Sequence, residues 1–328
     1  MKIVFAEMPE AAGRDLSVER AHLPAGARIE CFTYRGDPRA LAAACCDADA
    51  ILTDYVPFGR AVLQALTRCR IISVAATGWD CVDIGAAAER GIAVSCVGEY
   101  CTDEVADHTL ALLLALNRRL LAYDRQVQVE RDWRWNEIQG VRRLAGQTLG
   151  LVGFGRIGQA VCRRALGFGL RVLACDPRVD EATASRHGAR LATFEDLLAQ
   201  SDIISLHCNL TANNHSLLNR EVFVGMLRKP LLLNVARGAL IVEPDLADAL
   251  DRGLVAGAAL DVLAQDSPDL RQHPLVGRRD VLLTPHVAFY SESSMADLRR
   301  ISAQNIRAFM EDRPEAVFRL VALVEGAA

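Results

Sequence analysis

A glycine-rich segment with the spacing G-x-G-x-x-G lies near the middle of the chain, at Gly153, Gly155 and Gly158. It directly follows the apolar run 148–152 and precedes a run of residues compatible with a helix, 159–166. In such a segment the first glycine permits a tight turn, the second lets a pyrophosphate approach the backbone, and the third lets helix and strand pack closely. The free N–H groups at the helix start would face the anion. The segment therefore predicts dinucleotide binding, and a glycine turn used only for packing is the alternative.

An acidic residue ends the next apolar run, 171–175. Asp176 lies 21 residues after Gly155, where a carboxylate is expected to accept hydrogen bonds from the adenosine ribose hydroxyls of the dinucleotide. A carboxylate at this place would repel the 2′-phosphate of NADP, so the sequence favours NAD. Arg178, two residues further on, could weaken the preference for NAD over NADP. NADP is therefore kept as the less favoured cofactor.

Polar side chains also follow four later apolar runs, where the carboxyl ends of parallel strands would bring them to one crevice. Arginine offers a planar fork that grips a carboxylate through two hydrogen bonds. Histidine can protonate a forming alkoxide near neutral pH. Placed beside a nicotinamide, these groups predict hydride chemistry on a carbonyl compound that carries a carboxylate. Singly, such an arginine is more often a surface ion-pair partner, and such a histidine can simply end a strand. The side chains concerned are His207, Cys208, Arg237, Asp261, Asp266 and His286.

The elements that must position these groups are short β-rich runs that alternate with Ala/Leu-rich stretches, which is typical of parallel sheets with crossover helices. A helix is predicted from Thr102 to about Leu121, with a polar connector over 123–147. The predicted strands are 2–6, 50–53, 71–75, 92–95, 148–152, 171–175, 203–206, 231–235, 255–260 and 281–284.

Composition excludes several other classes of protein. The chain has 328 residues, which suggests two domains, and 51% of them are hydrophobic, which excludes disorder. A net charge of -4 and a pI of about 6.0 argue against direct binding to nucleic acid. The longest apolar run, 110–116, is too short to cross a membrane, and no secretory signal is present. Ten cysteines without any C-x-x-C pair indicate a reducing compartment, so we expect a soluble cytoplasmic protein with no metal site.

Several segments resemble the D-isomer-specific 2-hydroxyacid dehydrogenases, and their order and spacing make the resemblance specific. It covers the chain from about Ile71 to Leu320, and within the family it looks closest to the C-terminal-binding-protein-like and phosphoglycerate-dehydrogenase-like branch. The matching segments are 76–83, 103–108, 150–158, 234–238, 259–262 and 284–286.

The resemblance implies the roles of the catalytic residues. Arg237 would bind the substrate carboxylate and carbonyl, and His286 would be the acid/base. The family's catalytic glutamate corresponds to Asp266, so this chain departs from the common pattern. The backbone at Thr77 and Gly78 would hold the substrate carboxylate.

The resemblance also implies contacts around the rest of the substrate and the cofactor. Tyr55 and Phe289 would line the side-chain pocket, where no obvious cation is present for a phosphate, so 3-phosphoglycerate is disfavoured. Which 2-keto acid is reduced stays open. The cofactor contacts would be Gly153, Gly155, Arg156, Ile157, Gly158, Asp176, His207, Cys208, Asn209, Asn214, Val235, Ala236, Arg237, Asp261 and His286.

The architecture that the resemblance implies is α/β, with two doubly wound parallel-sheet domains and the active site in the cleft between them. Residues 1–98 and 287–328 would form a flavodoxin-like substrate domain, and 99–286 a Rossmann NAD-binding domain. The helix 110–121 and the stretch Trp133–Trp135 align with the parts through which the family forms twofold dimers, although a core helix and a solvated loop would explain them too.

A rival interpretation comes from the segments 205–210, 214–215 and 286–291, which look most like the C-terminal-binding-protein co-repressors and related bacterial reductases. The chain would then be an NAD(H)-sensing interaction protein with little turnover. Two departures weaken this interpretation: Phe289 stands where those co-repressors carry tryptophan, and Val74 where they carry arginine. The sequence therefore favours an enzyme that interconverts 2-keto acids and D-2-hydroxy acids.

Overall fold

The computed structural model describes residues 1–265 and 268–322. The chain divides into two compact units: Met1–Cys101 with the chain from Ser291 onward, and Thr102–Tyr290. The domain boundaries expected from the sequence, 98/99 and 286/287, stay predictions. Among the described residues, no helix is both long and apolar enough to cross a bilayer.

Strands and helices alternate along the first part of the chain. Its strands are β1 (Lys2–Glu7), β2 (Arg28–Thr33), β3 (Ala50–Thr53), β4 (Ile71–Val74) and β5 (Ala93–Cys96). Its helices are α1 (Ser17–His22), α2 (Pro38–Cys45), α3 (Arg60–Ala65) and α4 (Ile84–Glu89).

The second unit begins with two helices and then alternates again. Its helices are α5 (Thr102–Asn117), α6 (Leu120–Gln128), α7 (Arg156–Gly167), α8 (Glu181–Arg186), α9 (Phe194–Gln200), α10 (Arg220–Val224) and α11 (Glu243–Asp251). Its strands are β6 (Thr148–Val152), β7 (Arg171–Cys175), β8 (Ala189–Leu191), β9 (Ile203–Leu206), β10 (Leu231–Asn234), β11 (Gly257–Leu260) and β12 (Val281–Leu283). The chain then returns to the first unit as α12 (Glu292–Met310) and β13 (Leu320–Ala322).

The first unit contains a six-stranded sheet in the order β13-β5-β4-β3-β1-β2. Every pair in it is parallel except β13 with β5. The antiparallel pair lies at this edge because the returning chain adds β13 in the opposite direction. Apolar side chains from α12 pack against β3 and β4 on one face, which ties the returning chain to this unit.

The second unit contains a fully parallel seven-stranded sheet in the order β12-β11-β10-β9-β6-β7-β8. Apolar residues of α5 and α7 cover one face, and those of α9 to α11 cover the other. The chain leaves β6 towards β7 and later resumes on the other side of β6 with β9. Ligands of open α/β sheets bind at such a reversal, outside the carboxyl ends of the strands. The predicted α/β class with a Rossmann domain is confirmed.

Three strands of the described chain were not predicted from the sequence: β2, β8 and β13. All three lie at sheet edges. β2 is partly exposed along its whole length, and the other two have only three residues each. Edge strands need not form the buried apolar runs by which the central strands were recognised.

The predicted helix from Thr102 to about Leu121 is two helices in the structure. Arg119 adopts a left-handed backbone with φ of 55°, which ends the first helix and starts α6. The predicted connector 123–147 consequently begins as helix. The side-chain amide of Asn117, at the end of α5, donates a hydrogen bond to the carbonyl of Arg142 at 2.9 Å and holds the rest of the connector against the helix.

Candidate active site

The glycine turn after β6 brings neighbouring backbone segments into close contact. Gly153 has a φ of 95°, and a Cβ there would lie 2.6 Å from the backbone of His207 and Cys208. A Cβ on Gly158 would lie 2.4 Å from the carbonyl oxygen of Gly153, so only glycine lets α7 pack on the turn. Gly155, by contrast, is exposed and would meet nothing within 4 Å. Gly153 and Gly158 thus permit close packing, and Gly155 leaves open space before the start of α7, where a pyrophosphate fits.

Asp176 is fixed beside that turn. Its Oδ2 accepts the backbone N–H of Phe154 and its Oδ1 that of Arg178, each at 2.9 Å. A carboxylate offers about four acceptor positions, so two are left for ribose hydroxyls. The turn, the start of α7 and this carboxylate therefore fit a dinucleotide.

The loop after β9 lies on the other side of the predicted cofactor site. Asn214 organises it, because its Oδ1 accepts the N–H of Thr211 at 2.6 Å and its Nδ2 donates to the carbonyl of Asn209 at 2.7 Å. The same Nδ2 lies 3.9 Å from Sγ of Cys208. The predicted cofactor residues of this loop are thus held together, although their contacts with a cofactor stay predictions.

His207 joins this loop to the glycine turn, and its ring is held in the neutral form. The backbone N–H of His207 donates to the carbonyl of Val152 at 2.7 Å, and the ring Nε2 lies 2.8 Å from Oγ of Ser205. Nδ1 is buried and has no hydrogen-bond partner among the described residues. Burial lowers the pKa of His207 to about 3, because desolvation penalises the charged ring.

This shift predicts a pH dependence of stability. The pKa of His207 is lower in the folded chain than the ~6.5 expected of an unfolded one, so below that pH the unfolded state binds more protons. The stability contributed by neutral His207 is therefore complete above about pH 6.5 and is lost as the pH falls towards 3, by at most about 1.4 kcal/mol per pH unit. Urea unfolding of wild type and His207→Asn between about pH 4 and 7 checks this. The wild type should lose stability more steeply, and parallel curves would contradict the assignment.

Asp261, at the end of β11, holds the turn that follows β12. The carboxyl group is buried, with 1% of the residue exposed. Its Oδ1 accepts hydrogen bonds from Oγ1 of Thr284 at 2.5 Å and from the N–H of Val287 at 2.9 Å. Its Oδ2 accepts the N–H of Ala288 at 2.9 Å. Three protein donors therefore hold this carboxylate, which shapes the turn around His286, and its predicted contact with the cofactor stays a prediction.

His286 sits in that turn with an unusual backbone. Its φ is 52°, in the left-handed region, and its N–H donates to the carbonyl of Asp261 at 2.7 Å. Such conformations cost about 1–3 kcal/mol and persist only where the surroundings impose them. The Asp261 contacts on both sides of the turn impose this one. The imidazole packs edge-on against Phe289, with ring centres 6.1 Å apart.

His108, from the middle of α5, supports the same turn and was not among the predicted site residues. Its Nε2 lies 3.1 Å from Oγ1 of Thr284 and 3.6 Å from Oδ1 of Asp261. The resemblance included its segment, but nothing local in the sequence connects a residue of α5 with a turn 176 positions later.

Arg237 follows β10 in a second turn held by a buried amide. Nδ2 of Asn234 donates to the carbonyl of Arg237 at 2.9 Å, and its Oδ1 accepts the N–H of Ala236 at 3.0 Å. Val235 and Ala236 are partly buried between them. At Gly238 a Cβ would lie 1.9 Å from the carbonyl oxygen of Leu263. Glycine therefore lets the loop after β11 pass directly against the arginine turn.

The carboxyl edge of the second sheet thus gathers the predicted cofactor groups after β6, β7 and β9, the arginine turn after β10, and the histidine turn after β12. Asp266 lies outside the described residues. Tyr55, which is 42% exposed, Thr77 and Gly78 belong to the other unit. Their contacts with substrate stay predictions. Within the described chain, no group of three His, Cys, Asp or Glu side chains is arranged to hold a metal ion.

A Rossmann sheet with this glycine turn and this carboxylate defines a dinucleotide-binding protein. Residues 110–288 match the model of the D-isomer specific 2-hydroxyacid dehydrogenase, NAD binding domain. The chain belongs to the D-isomer specific 2-hydroxyacid dehydrogenase family, and its NAD-binding unit serves the oxidoreduction of 2-hydroxy acids.

Known proteins similar to this chain carry related activities in their names. A hydroxypyruvate reductase of Blautia hydrogenotrophica is 35% identical over 273 residues, which cover 82% of this chain and 84% of that protein. A putative 2-hydroxyacid dehydrogenase of Haemophilus influenzae is 36% identical, covering 81% and 85%. The crystal structure of the Aquifex aeolicus D-lactate dehydrogenase, complexed with NAD and lactic acid, superposes with a TM-score of 0.86 at 27% identity, covering 97% of this chain and 98% of that one.

Proposed function

We propose that the protein reduces a small 2-keto acid to the D-2-hydroxy acid, with NADH as the preferred cofactor. The observation that carries the proposal is the pair of rigid turns at one sheet edge, which hold Arg237 and His286 through the buried side chains of Asn234 and Asp261. Buried polar anchors of this kind preorganise an arginine fork and an imidazole for a reacting group.

In the proposed reaction, bound NADH supplies the hydride to the carbonyl carbon. Arg237 binds the substrate carboxylate through its guanidinium fork and orients the carbonyl. As the C=O π electrons move to oxygen, that oxygen takes the proton from the His286 imidazolium, and the C–O–H group of the product forms. Asp266 acts on His286 in place of the family's glutamate, because a nearby carboxylate favours the protonated ring. In the oxidation direction neutral His286 removes the hydroxyl proton.

A steady-state assay of NADH oxidation over a panel of 2-keto acids tests this function. The panel contains glyoxylate, hydroxypyruvate, pyruvate and bulkier apolar keto acids, and hydroxypyruvate takes priority because the Blautia relative is named for it. Phosphohydroxypyruvate serves as the control expected to react poorly. Turnover to the D-product supports the proposal. Saturable NADH binding without turnover on any acid would instead support the NAD(H)-sensing interpretation.

The preference for NADH depends on Asp176. We expect kcat/KM for NADH to exceed that for NADPH, because this carboxylate accepts ribose hydroxyls and repels a 2′-phosphate. Asp176→Ala should relax the discrimination without abolishing turnover. Glu181→Ala, which removes an exposed carboxylate at the start of α8, is the control. Equal kcat/KM values for the two cofactors in the wild type would refute the preference.

We also propose a homodimer through the arm that follows α6. Trp133 and Trp135 are 88% and 85% exposed, and Leu121 of α6 is 61% exposed. Large aromatic side chains are enriched in interfaces and rarely lie in water together. Light scattering at micromolar concentration should give a dimer mass. The double variant Trp133→Ser with Trp135→Ser should shift the mass towards a monomer, while Leu227→Ser, at a residue 75% exposed elsewhere, should not. A monomeric wild type would contradict the proposal.

A further inference from the structure

His108, on α5, begins a chain of hydrogen bonds that ends at the buried carboxylate of Asp261. Its Nε2 lies 3.1 Å from Oγ1 of Thr284, and that oxygen lies 2.5 Å from Oδ1 of Asp261. The helix packs against β10, β11 and β12, the strands that precede the arginine turn, Asp261 and the histidine turn. α5 therefore brings a side chain to the carboxyl edge of the sheet from one of its faces.

These hydrogen bonds have a fixed direction. The hydroxyl of Thr284 donates its single proton to the carboxylate of Asp261, which can only accept. The hydroxyl oxygen must then accept from His108, so a ring proton of His108 is on Nε2. Hydrogen bonds in such a chain strengthen one another. A side chain without an N–H at this position would therefore remove the donor that orients the Thr284 hydroxyl and would weaken the bond to the carboxylate.

The carboxylate at the end of this chain holds the backbone of the histidine turn. Oδ1 of Asp261 also accepts the N–H of Val287, and Oδ2 accepts that of Ala288. The carboxylate side chain is 0% exposed, and a buried charge is costly unless its hydrogen bonds are complete. His108 helps to complete them through Thr284. Its Nε2 also lies 3.6 Å from Oδ1, where the N–H group stabilises the negative charge.

We propose that His108 is a positioning residue for catalysis, which fixes the carboxylate of Asp261 and thereby holds His286 in the geometry for proton transfer. This inference rests on the proposed function. The backbone of His286 is left-handed, with φ of 52°, and such a conformation persists only where its surroundings impose it. A less firmly held carboxylate would let the turn relax, and the imidazole would then deliver its proton from a less favourable position.

His108→Met and His108→Gln in the full chain separate the effect of the N–H group from that of side-chain bulk. Methionine is unbranched and has no donor, so we expect kcat for keto-acid reduction to fall about tenfold. Glutamine can place an amide N–H near the position of Nε2, so its kcat should stay within about threefold of wild type. KM for the keto acid should change by less than about twofold in both variants, because Asn234 holds the arginine turn separately.

A double-mutant cycle with Thr284→Val tests whether the effect passes through the hydroxyl. Valine keeps the shape of threonine without the hydroxyl, so in that background His108→Met should lower kcat by no more than about twofold. Asp107→Asn is the matched control on α5, because this carboxylate is 70% exposed and accepts the Nε–H of Arg164 on α7 at 2.6 Å. Equal losses from His108→Met in both backgrounds, or the same loss in His108→Gln or in the control, would overturn the proposal.

Hydrogen exchange followed by mass spectrometry provides a readout that does not depend on turnover. Peptides that cover 284–290 contain the three backbone amides that donate to Asp261. They should exchange faster in His108→Met than in wild type, and should be unaffected in His108→Gln and Asp107→Asn. Absence of turnover in the wild type would contradict the proposed function. Unchanged exchange in His108→Met would contradict the role of His108 itself, so the two failures are distinguishable.

Discussion

His286→Asn should lower kcat for keto-acid reduction by about 10²–10⁴-fold, the usual contribution of general acid catalysis. Asparagine is the informative replacement, because it tolerates the left-handed backbone that His286 adopts, with φ of 52°, and has no proton to donate near neutral pH. The loss then reports proton transfer rather than strain in the turn. His286→Ala should cost at least as much in kcat. Stopped-flow and steady-state kinetics with a saturating keto acid provide the measurement.

Two further measurements make this result specific. The thermal midpoint should stay near the wild-type value in His286→Asn, which separates catalysis from folding. Asp266→Asn should lower the pH above which reduction falls, with kcat reduced and not abolished. Reduction needs protonated His286, and in the proposed Asp266–His286 pair the loss of the carboxylate would lower the pKa of the histidine. A kcat of His286→Asn within about tenfold of wild type would exclude general acid catalysis by this residue. A pH profile of Asp266→Asn that superimposes on wild type would exclude a part for this carboxylate.

Arg237→Met should lower kcat/KM for the keto acid by about 10²–10³-fold, because two charge-assisted hydrogen bonds to the substrate carboxylate are lost. Most of the effect should appear in KM for the keto acid, since the carboxylate is bound in both the ground state and the transition state. Arg237→Lys should recover only part of the loss, because an ammonium keeps the charge and lacks the planar fork.

The control for this prediction is Arg252→Met, which removes a half-exposed arginine at the end of α11, whose partner is Asp248. It should leave kcat/KM unchanged. An unchanged KM for the keto acid in Arg237→Met would show that the substrate carboxylate is bound by another group.

The sequence by itself determined the features that local chemistry specifies. The glycine spacing and Asp176 indicated a dinucleotide turn, and the structure shows the close backbone contacts that require glycine at Gly153 and Gly158. The central strands were recognised because parallel strands buried on both faces form continuous apolar runs. Arg237 and His286 could be named because polar residues that follow such runs must lie at one edge of a sheet.

Only the tertiary structure decided how these groups are held. The positions of the edge strands β2, β8 and β13 are set by the strands beside them. The helix break at Arg119 depends on a backbone conformation that no residue pattern predicts. The carboxylate of Asp261 accepts three hydrogen bonds from the turn around His286, a role that the sequence did not predict, and its contact with the cofactor stays a prediction. His108 reaches that turn from 176 positions earlier in the chain, and Glu243 binds the loop after β11 at Ala264, 21 positions away. Such contacts join residues that are distant in sequence, and a hydrogen bond between them leaves no periodicity or spacing by which either partner could be recognised.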